Sequence, residues 1–169
     1  MTEERMRVGV VVERREIDHP WQDHVWEPYA VLPGVPDTPE WASIAKGDRF
    51  ERFYIGSTEI SLASTETAFY RDNLFEGSPR LWVVVREEGE HPLRLITVTA
   101  DPTEGEGYTE TNSSIVTTVP MSPEIAAFVA RFVDEHHVER QFIKRKRDRL
   151  STEDLGRRNR ARGDGEGHS

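Results

Sequence analysis

The chain has 169 residues and a formal net charge of −9, with 36% hydrophobic and 31% charged residues. A chain of this size can bury about two thirds of its unfolded surface, so we expect one self-sufficient core. It contains no cysteine, which excludes disulfides, thiolate-ligated iron–sulfur clusters, Cys-type zinc sites and cysteine nucleophiles.

The charge is unevenly distributed along the sequence. Residues 138–169 carry ten Arg or Lys against six Asp or Glu, so this tail is near +4 and the rest of the chain is near −13. Nucleic-acid binding needs a basic face that releases counterions, and only the tail offers one. The N-terminus lacks the apolar region of a signal peptide, and no stretch approaches about 18 apolar residues. These features predict a cytoplasmic protein without a transmembrane segment.

The first predicted element is a buried strand at Val8–Val12, where four of the five residues are valine. Gly9 would weaken this strand unless another group approaches its backbone closely. After a turn, a second strand is expected at Val25–Leu32, in which Pro28 predicts an edge position or a bulge. Residues 35–48 should then form a loop containing a short helical turn.

The next segment, Arg49–Ala63, has the pattern of a β-hairpin. Apolar and polar residues alternate on both sides of Gly56-Ser57, and Gly at the first turn position suits a type II′ turn. The following segment, Ser64–Phe75, is compatible with a short helix or with a further strand, because its apolar spacing suggests a helix and its threonines disfavour one.

A second hairpin is predicted from Leu81–Arg86 and Leu93–Ala100, joined by a polar loop. Asp101 can cap a short helix, which Gly105 and Gly107 would limit in length. A sixth, short strand is expected at residues 115–119.

The C-terminal part contains the strongest helix signal of the chain. Ser122 is a good N-cap, and Pro123 suits the first helical position. The apolar residues that follow recur at helical spacing and predict a face that covers the sheet; they are Ile125, Phe128, Val129, Phe132 and Val133. The predicted fold class is therefore α+β: a mostly antiparallel five- to six-stranded sheet or partial barrel, with one long C-terminal helix packed on it. We expect a single domain over residues 6–143 and a basic, disordered tail over residues 144–169.

Two acid–imidazole pairs, Asp18-His19 and Asp23-His24, suggest a metal site together with His136-His137. Their spacing matches no standard ligand motif, and two histidines five residues apart share neither a helical face nor one side of a strand. We therefore favour structural or surface histidines and predict no metal site.

The aromatic residues around the second strand allow two interpretations. Trp21, Trp26, Tyr29 and Trp41 can form an exposed stacking platform or can pack in the core. Acidic residues outnumber cations nearby in the sequence, so core packing is favoured.

No segment of the sequence carries a recognised catalytic or nucleotide-binding motif. Serines lie in no nucleophile elbow, and the glycine-rich runs lack the lysine and the strand–helix context of phosphate-binding loops. The sequence thus predicts no cofactor and gives no reason to assign an enzymatic activity. The basic cluster Lys144, Arg145, Lys146 and Arg147 is equally compatible with a solvated helix end and with contact to an acidic partner, with nucleic acid less favoured than either.

Four parts of the sequence resemble an uncharacterised family of short bacterial proteins. They are VGVVVERREIDHPWQDHVWEPYAVLPG at residues 8–34, TETAFYRDNL at residues 65–74, the helix entry Pro120-Met121, and FVDEHH at residues 132–137 followed by KRKR at 144–147. The resemblance spans residues 6–148. It implies a genomic neighbourhood beside molybdenum-dependent formate dehydrogenases, and some members are labelled molybdopterin-guanine dinucleotide biosynthesis protein A. The glycine-rich loop of a guanylyltransferase is absent after the first strand, where Glu13-Arg14-Arg15-Glu16 stands instead.

The resemblance implies a cellular context, and the sequence carries no catalytic motif. Together they lead to the hypothesis of a non-enzymatic accessory protein that assists maturation or assembly of a molybdenum-dependent formate dehydrogenase, with a subunit or a maturation factor of that enzyme as its protein partner. The alternatives are a protein of molybdenum cofactor biosynthesis or binding and a nucleic-acid binder that uses the tail. The residues expected to contact the partner are Asp18, His19, Trp21, His24, Trp26, Lys144, Arg145, Lys146 and Arg147.

Overall fold

The computed structural model describes residues 1–110 and 113–137. The strands of this part are β1 (Glu3–Glu16), β2 (His24–Leu32), β3 (Ala42–Lys46), β4 (Phe50–Ala63), β5 (Arg80–Arg86), β6 (Arg94–Thr99) and β7 (Ile115–Pro120). The helices are α1 (Thr67–Phe75), α2 (Pro102–Gly107) and α3 (residues 123–137), and short 3₁₀ turns occupy Ser64–Glu66 and Tyr108–Glu110. The strands form two antiparallel sheets, with the orders β2-β1-β4-β3 and β6-β5-β7.

Strand β1 lies at the centre of the first sheet, between β2 and β4. Val8, Val10 and Val12 are inaccessible to solvent and lie in the core, and Val11 is buried on the opposite face. The valine run therefore marks a strand covered on both sides, as the sequence predicts. The same hydrophobic cluster includes residues of the second sheet and of α3, so one core joins all three elements; its members there include Leu81, Val83 and Val85 of β5 and Ile125, Val129 and Phe132 of α3.

Both neighbours of β1 contain a bulge beside Val11. On β4, Ile55 is the extra residue between the partners of Val10 and Val11, and on β2 the extra residue is Tyr29. The predicted edge or bulge at Pro28 is confirmed on both counts, because β2 is an edge strand and Pro28 immediately precedes its bulge. Proline has no N–H to contribute to the ladder, which restricts it to such positions.

The glycine within the valine run is explained by close packing on the outer face of the sheet. A Cβ atom at Gly9 would lie 3.0 Å from a side-chain carbon of Pro36 and 3.0 Å from one of Tyr54. The loop after β2 therefore passes directly over β1 at this point. This close approach is the condition under which the sequence is expected to tolerate a glycine inside the strand.

Helix α1 is attached to the second sheet by the buried amide of Asn73. Its Nδ2 donates to the carbonyls of Arg80 at 2.8 Å and Ala100 at 2.9 Å, and its Oδ1 accepts from the Arg80 N–H at 2.9 Å. One turn earlier, Tyr70 is buried, and its hydroxyl accepts a hydrogen bond from the Ala63 N–H at 3.0 Å. These inward-facing residues three apart settle the open alternative for Ser64–Phe75 as a 3₁₀ turn followed by a helix.

The predicted caps of the two later helices are confirmed. Asp101 accepts hydrogen bonds from the N–H groups of Thr103 at 2.9 Å and Glu104 at 3.4 Å, at the start of α2. Ser122 Oγ accepts from the Ile125 N–H at 3.3 Å, at the start of α3. Each cap satisfies backbone donors that have no partner within the helix.

The α+β class and the antiparallel pairing are confirmed, but a single sheet of five or six strands is wrong. The described residues form seven strands in two sheets, and these do not close into a barrel. Alternation of apolar residues identifies strands without indicating which strands pair. The division into two sheets therefore has no signature in the sequence.

The predicted hairpin at Arg49–Ala63 is also wrong, because β4 continues through Gly56 and pairs with β1 along its whole length. Gly56 has a φ of 138° and lies next to the bulged residue Ile55, within the strand instead of in a turn. The helical turn expected within residues 35–48 is replaced by β3, which pairs with β4. The hairpin of this region thus turns at residues 47–49, where the Gly47 N–H donates to the Phe50 carbonyl at 2.9 Å. Long-range pairing with β1 overrides the local turn signal.

Part of the predicted organisation lies outside the described residues. This holds for the length of the C-terminal helix beyond residue 137, the domain boundary at residue 143 and the basic tail over residues 144–169. Among the helices that the structure describes, none has the length and apolar character required to cross a membrane.

Candidate functional site

The connection between β1 and β2, residues 17–23, forms a loop whose backbone is fixed at both ends. The Ile17 N–H donates to the Asp23 carbonyl at 3.0 Å, which closes the base of the loop. Arg49 reaches the loop from the start of β4 and donates to the two carboxylate oxygens of Asp18 at 3.0 and 3.4 Å. This hydrogen bond, and then the Coulomb attraction to Asp18, raise the pKa of Arg49 above its ordinary value.

The tip of this loop presents Trp21 to solvent. Its side chain is 86% exposed, although it is the largest apolar side chain that a protein can bury. The Trp21 N–H donates to Nδ1 of His19 at 3.1 Å, so a side chain of the loop holds the backbone beneath the indole. Trp21 is therefore displayed on an ordered turn.

A cluster of rings lies at the same end of the first sheet. Trp26 on β2, Trp41 before β3 and Phe53 on β4 are in mutual contact, with centroids 5.4–5.9 Å apart. All three are partly buried and pack against the core. The Arg14 guanidinium lies 5.8 Å from the centre of the Trp26 ring and is paired with Glu51 at 3.0 Å. The cluster thus closes one end of the core.

Trp41 has an unusual backbone conformation. Its φ is 68°, which is a rare and strained value for a bulky residue. The ring contacts Trp26 and Phe53, and the imidazole of His91 stacks on it with centroids 5.0 Å apart and an interplanar angle of 16°. Such strain persists only where the surrounding contacts fix the residue.

Beside the stacked rings of Trp41 and His91 lies an open cavity of about 380 Å³. Its charged lining is acidic, with Glu40, Glu88 and Glu90 against a single Arg94, which donates to Glu88 at 2.7 Å. An anionic ligand would meet net repulsion here. Flat aromatic or cationic groups match the lining better.

The structure brings some of the predicted contact residues together. Asp18, His19 and Trp21 share the loop, and His24 begins the adjoining strand; all four are exposed. Trp26 lies in the partly buried ring cluster, where His24 contacts its edge at 6.1 Å. Core packing is therefore the correct interpretation for Trp26 and Trp41 and the wrong one for Trp21. The contact residues Lys144, Arg145, Lys146 and Arg147 lie outside the described residues.

The imagined histidine metal site does not assemble. His24 pairs with Glu16 at one end of β1, whereas His136 lies near Glu4 at the other end. Glu4 and Glu16 are twelve positions apart along β1, a distance of about 40 Å. The preference for structural or surface histidines at residues 19 and 24 agrees with their exposure.

Sequence reasoning missed Arg49 and His91 as members of this region. Arg49 contacts Asp18 from 31 positions along the chain, and His91 reaches Trp41 from a loop of the other sheet. No local pattern connects residues so far apart. The glutamates around His91 show in the sequence that this loop is acidic, but they do not show that His91 lies against Trp41.

Comparison with known proteins shows the family to which the chain belongs. No curated protein and no solved structure was found to be similar to it. A family model described as a protein of unknown function matches residues 7–146, most of the chain. The chain therefore belongs to the DUF3305 family.

Proposed function

We propose that the protein is a non-enzymatic accessory factor that assists maturation or assembly of a molybdenum-dependent formate dehydrogenase in the cytoplasm. The sequence resemblance described above supports the choice of partner. The observation that carries the binding role is the 86% exposure of Trp21 on a loop with a fixed backbone. Binding to a protein surface explains why such a side chain is held in water.

An exposed, ordered tryptophan is well suited to anchor a protein complex. Tryptophan is enriched among the few interface residues that dominate binding energy, each contributing about 2 kcal/mol or more. Its ring offers a large apolar area, and its N–H can bond at the edge of a pocket. Because residues 17–23 are already ordered, binding requires little further loss of loop entropy.

The surroundings of Trp21 specify the kind of surface that it fits. Asp18 and Asp23 lie in the same loop on either side of Trp21 in the sequence, and His19 accepts a hydrogen bond from the Trp21 backbone N–H. The complementary surface is an apolar pocket with a neutral or basic rim, since a second acidic surface would be repelled. Such a pocket on a dehydrogenase subunit or on one of its maturation factors is the expected contact.

Affinity capture with variants of the tagged protein in its native host tests this proposal. Trp21→Ala should weaken recovery of the dehydrogenase or its maturation factors, with a loss of affinity of about 30-fold or more for the purified pair. Phe75→Ala is a matched control, because it removes another aromatic side chain that is 76% exposed, on α1. Recovery should be unchanged in that variant.

Two results together would refute the accessory role. One is the absence of formate dehydrogenase and its maturation factors from the material captured with the wild-type protein. The other is full dehydrogenase activity in a strain that lacks this protein. Equal loss of binding in the Trp21 and Phe75 variants would refute the role of the loop without deciding the partner.

The cavity beside Trp41 and His91 favours a second candidate, the binding of the molybdenum cofactor or its nucleotide. A flat pterin or purine ring can stack on Trp41, but the three glutamates oppose its phosphates. Calorimetry with molybdopterin and with GTP distinguishes the candidates. Binding that is lost in Trp41→Ala and kept in Trp21→Ala would favour the cofactor, and no heat with either ligand would exclude it.

A further inference from the structure

The N-terminal end of β1 places a carboxylate on the core side of the sheet. Even-numbered residues of β1 face the core from Met6 to Val12, and Glu4 continues this series. Its cross-strand partner is Leu62, which is inaccessible to solvent. The Glu4 atom Oε2 is buried and has no hydrogen-bond partner among the described residues. An unpaired buried carboxylate oxygen is costly, so its position requires an explanation.

Two further ligand-type side chains meet Glu4 from the last described turn of α3. The ligand atoms of Glu4, Glu135 and His136 all lie within 4.8 Å of one another. The His136 side chain is 15% exposed, and its ring packs on Phe132 with centroids 4.4 Å apart. Its orientation is thus set by the core, whereas Glu135, with 54% of its side chain exposed, can move.

The charges of this cluster are unbalanced without a cation. His136 Nε2 and Glu135 Oε2 are separated by 4.0 Å, too far for a hydrogen bond. Glu4 Oε2 likewise has no donor among the described residues. A cation among the three groups would neutralise both carboxylates and satisfy that oxygen at the same time. One imidazole with two carboxylates is a ligand set that suits divalent transition metals.

We propose that Glu4, Glu135 and His136 bind a divalent transition-metal ion such as Zn²⁺ or Mn²⁺. Ligand atoms about 2.0–2.2 Å from a zinc ion lie about 3–3.5 Å from one another. Binding would require the three side chains to move closer together, and Glu135, with 54% of its side chain exposed, has the most freedom to do so. The ion would tie the start of β1 to α3 and leave coordination positions open for water or another molecule.

This site is separate from the surface of the proposed accessory function. The Trp21 loop follows the opposite end of β1, about 40 Å away along the strand. Metal binding and partner binding are therefore independently testable, and failure of one does not imply failure of the other.

Equilibrium dialysis of the full-length protein against ZnCl₂ and, separately, MnCl₂ tests the proposal, with metal content read by atomic absorption. The wild-type protein should bind one equivalent of at least one metal. Glu4→Gln and His136→Ala should each weaken that binding by about tenfold or more, since even residues outside the ligand shell cost tenfold or more when removed. A thermal melt should show a metal-dependent rise of Tm in the wild type that is reduced in these variants.

Asp134→Asn is the matched control, because it removes one exposed carboxylate from the same helix outside the cluster. It should leave the affinity unchanged. Glu135→Gln tests the same site even if the Glu4 variant does not fold, since Glu135 is exposed and its replacement disturbs no packing. The proposal fails if the wild type binds neither metal, or if Glu4→Gln and Glu135→Gln bind as tightly as the wild type, which would place the ion elsewhere on this acidic chain.

Discussion

The two ends of β1 differ in which kind of side chain lies on the unusual side of the protein surface: an apolar ring is exposed at one end, and a carboxylate oxygen is buried at the other. Beyond Glu16, the loop over residues 17–23 holds the apolar ring of Trp21 in water. Near Glu3, the sheet and α3 hold a carboxylate oxygen of Glu4 out of water. Each arrangement is unfavourable within the chain alone, and each indicates something that the chain would bind: an apolar pocket at the first end and a cation at the second.

The two ends also differ in what holds them in place. The loop is fixed by exposed polar contacts, above all between Asp18 and Arg49. The Glu4 end is built on buried rings of the core, with Phe132 in contact with both Tyr70 and His136. Substitutions at the loop should therefore change binding, and substitutions at the Glu4 end should also change stability.

The largest effect on stability should come from Phe132→Ala at the Glu4 end. Phe132 is inaccessible to solvent, and its removal leaves a cavity that should lower the free energy of unfolding by about 3–5 kcal/mol. Urea denaturation followed by circular dichroism measures the change. Trp21→Ala is the comparison variant and should stay within about 0.5 kcal/mol of the wild type. Similar losses in both variants would remove the distinction between the two ends.

A smaller effect is expected from Tyr70→Phe, which leaves the Ala63 N–H without its acceptor. The cost should be about 1–2 kcal/mol at neutral pH. Burial raises the pKa of Tyr70 above its ordinary value of 10.0 in the unfolded chain. The neutral hydroxyl therefore contributes fully below that value, and its contribution is lost as the pH rises through the higher pKa of the folded state.

Urea denaturation repeated from pH 8 to pH 11 tests whether the stability falls with rising pH, as burial of Tyr70 predicts. The wild type should lose more stability than Tyr70→Phe over the alkaline part of the range. Tyr29→Phe, which changes a hydroxyl on a partly exposed ring, should follow the wild-type curve. Parallel curves for all three proteins would show that Tyr70 ionises as freely in the folded state as in the unfolded one.

The smallest effect on stability is expected at the loop, from Asp18→Asn. The Asp18 side chain is 90% exposed, and a surface ion pair of this kind contributes little to folding. The variant should unfold like the wild type and yet bind the partner several-fold more weakly, because the loop beneath Trp21 loses its outer anchor. Asp23→Asn removes the same charge without breaking the contact to Arg49 and should bind normally. Equal weakening in both variants would attribute the effect to net charge alone.

The sequence predicts the structural elements that are determined by residues close together in the chain. The buried strand at Val8–Val12, the cap at Asp101 and the start of α3 after Ser122 all follow from local residue preferences, and each is confirmed. The hairpin at Gly56 was mistaken because a glycine serves a bulge as readily as a turn, and the choice depends on a strand more than forty residues away.

The candidate site shows the same division. The loop and its tryptophan were identified from the sequence, but the exposure of Trp21 was not, since the scarcity of cations nearby favoured core packing over a stacking platform. The meeting of Glu4 with His136 had no signal at all, because it depends on how α3 packs across the sheet. The sequence shows Glu4 two positions before Met6 in the alternating series, but it does not show that this face of the strand is the one that α3 covers.

The paired bulges at Tyr29 and Ile55 have a consequence for how the chain avoids misfolding. Val8–Val12 is nearly uniform in side chain, so a neighbour displaced by two residues would find almost the same surface. An extra residue on each flanking strand, both beside Val11, removes that degeneracy. A slip of either neighbouring strand would have to move that strand's bulge to another position along β1. The two bulges thus fix the register in which β2 and β4 pair with the repetitive valine segment of β1.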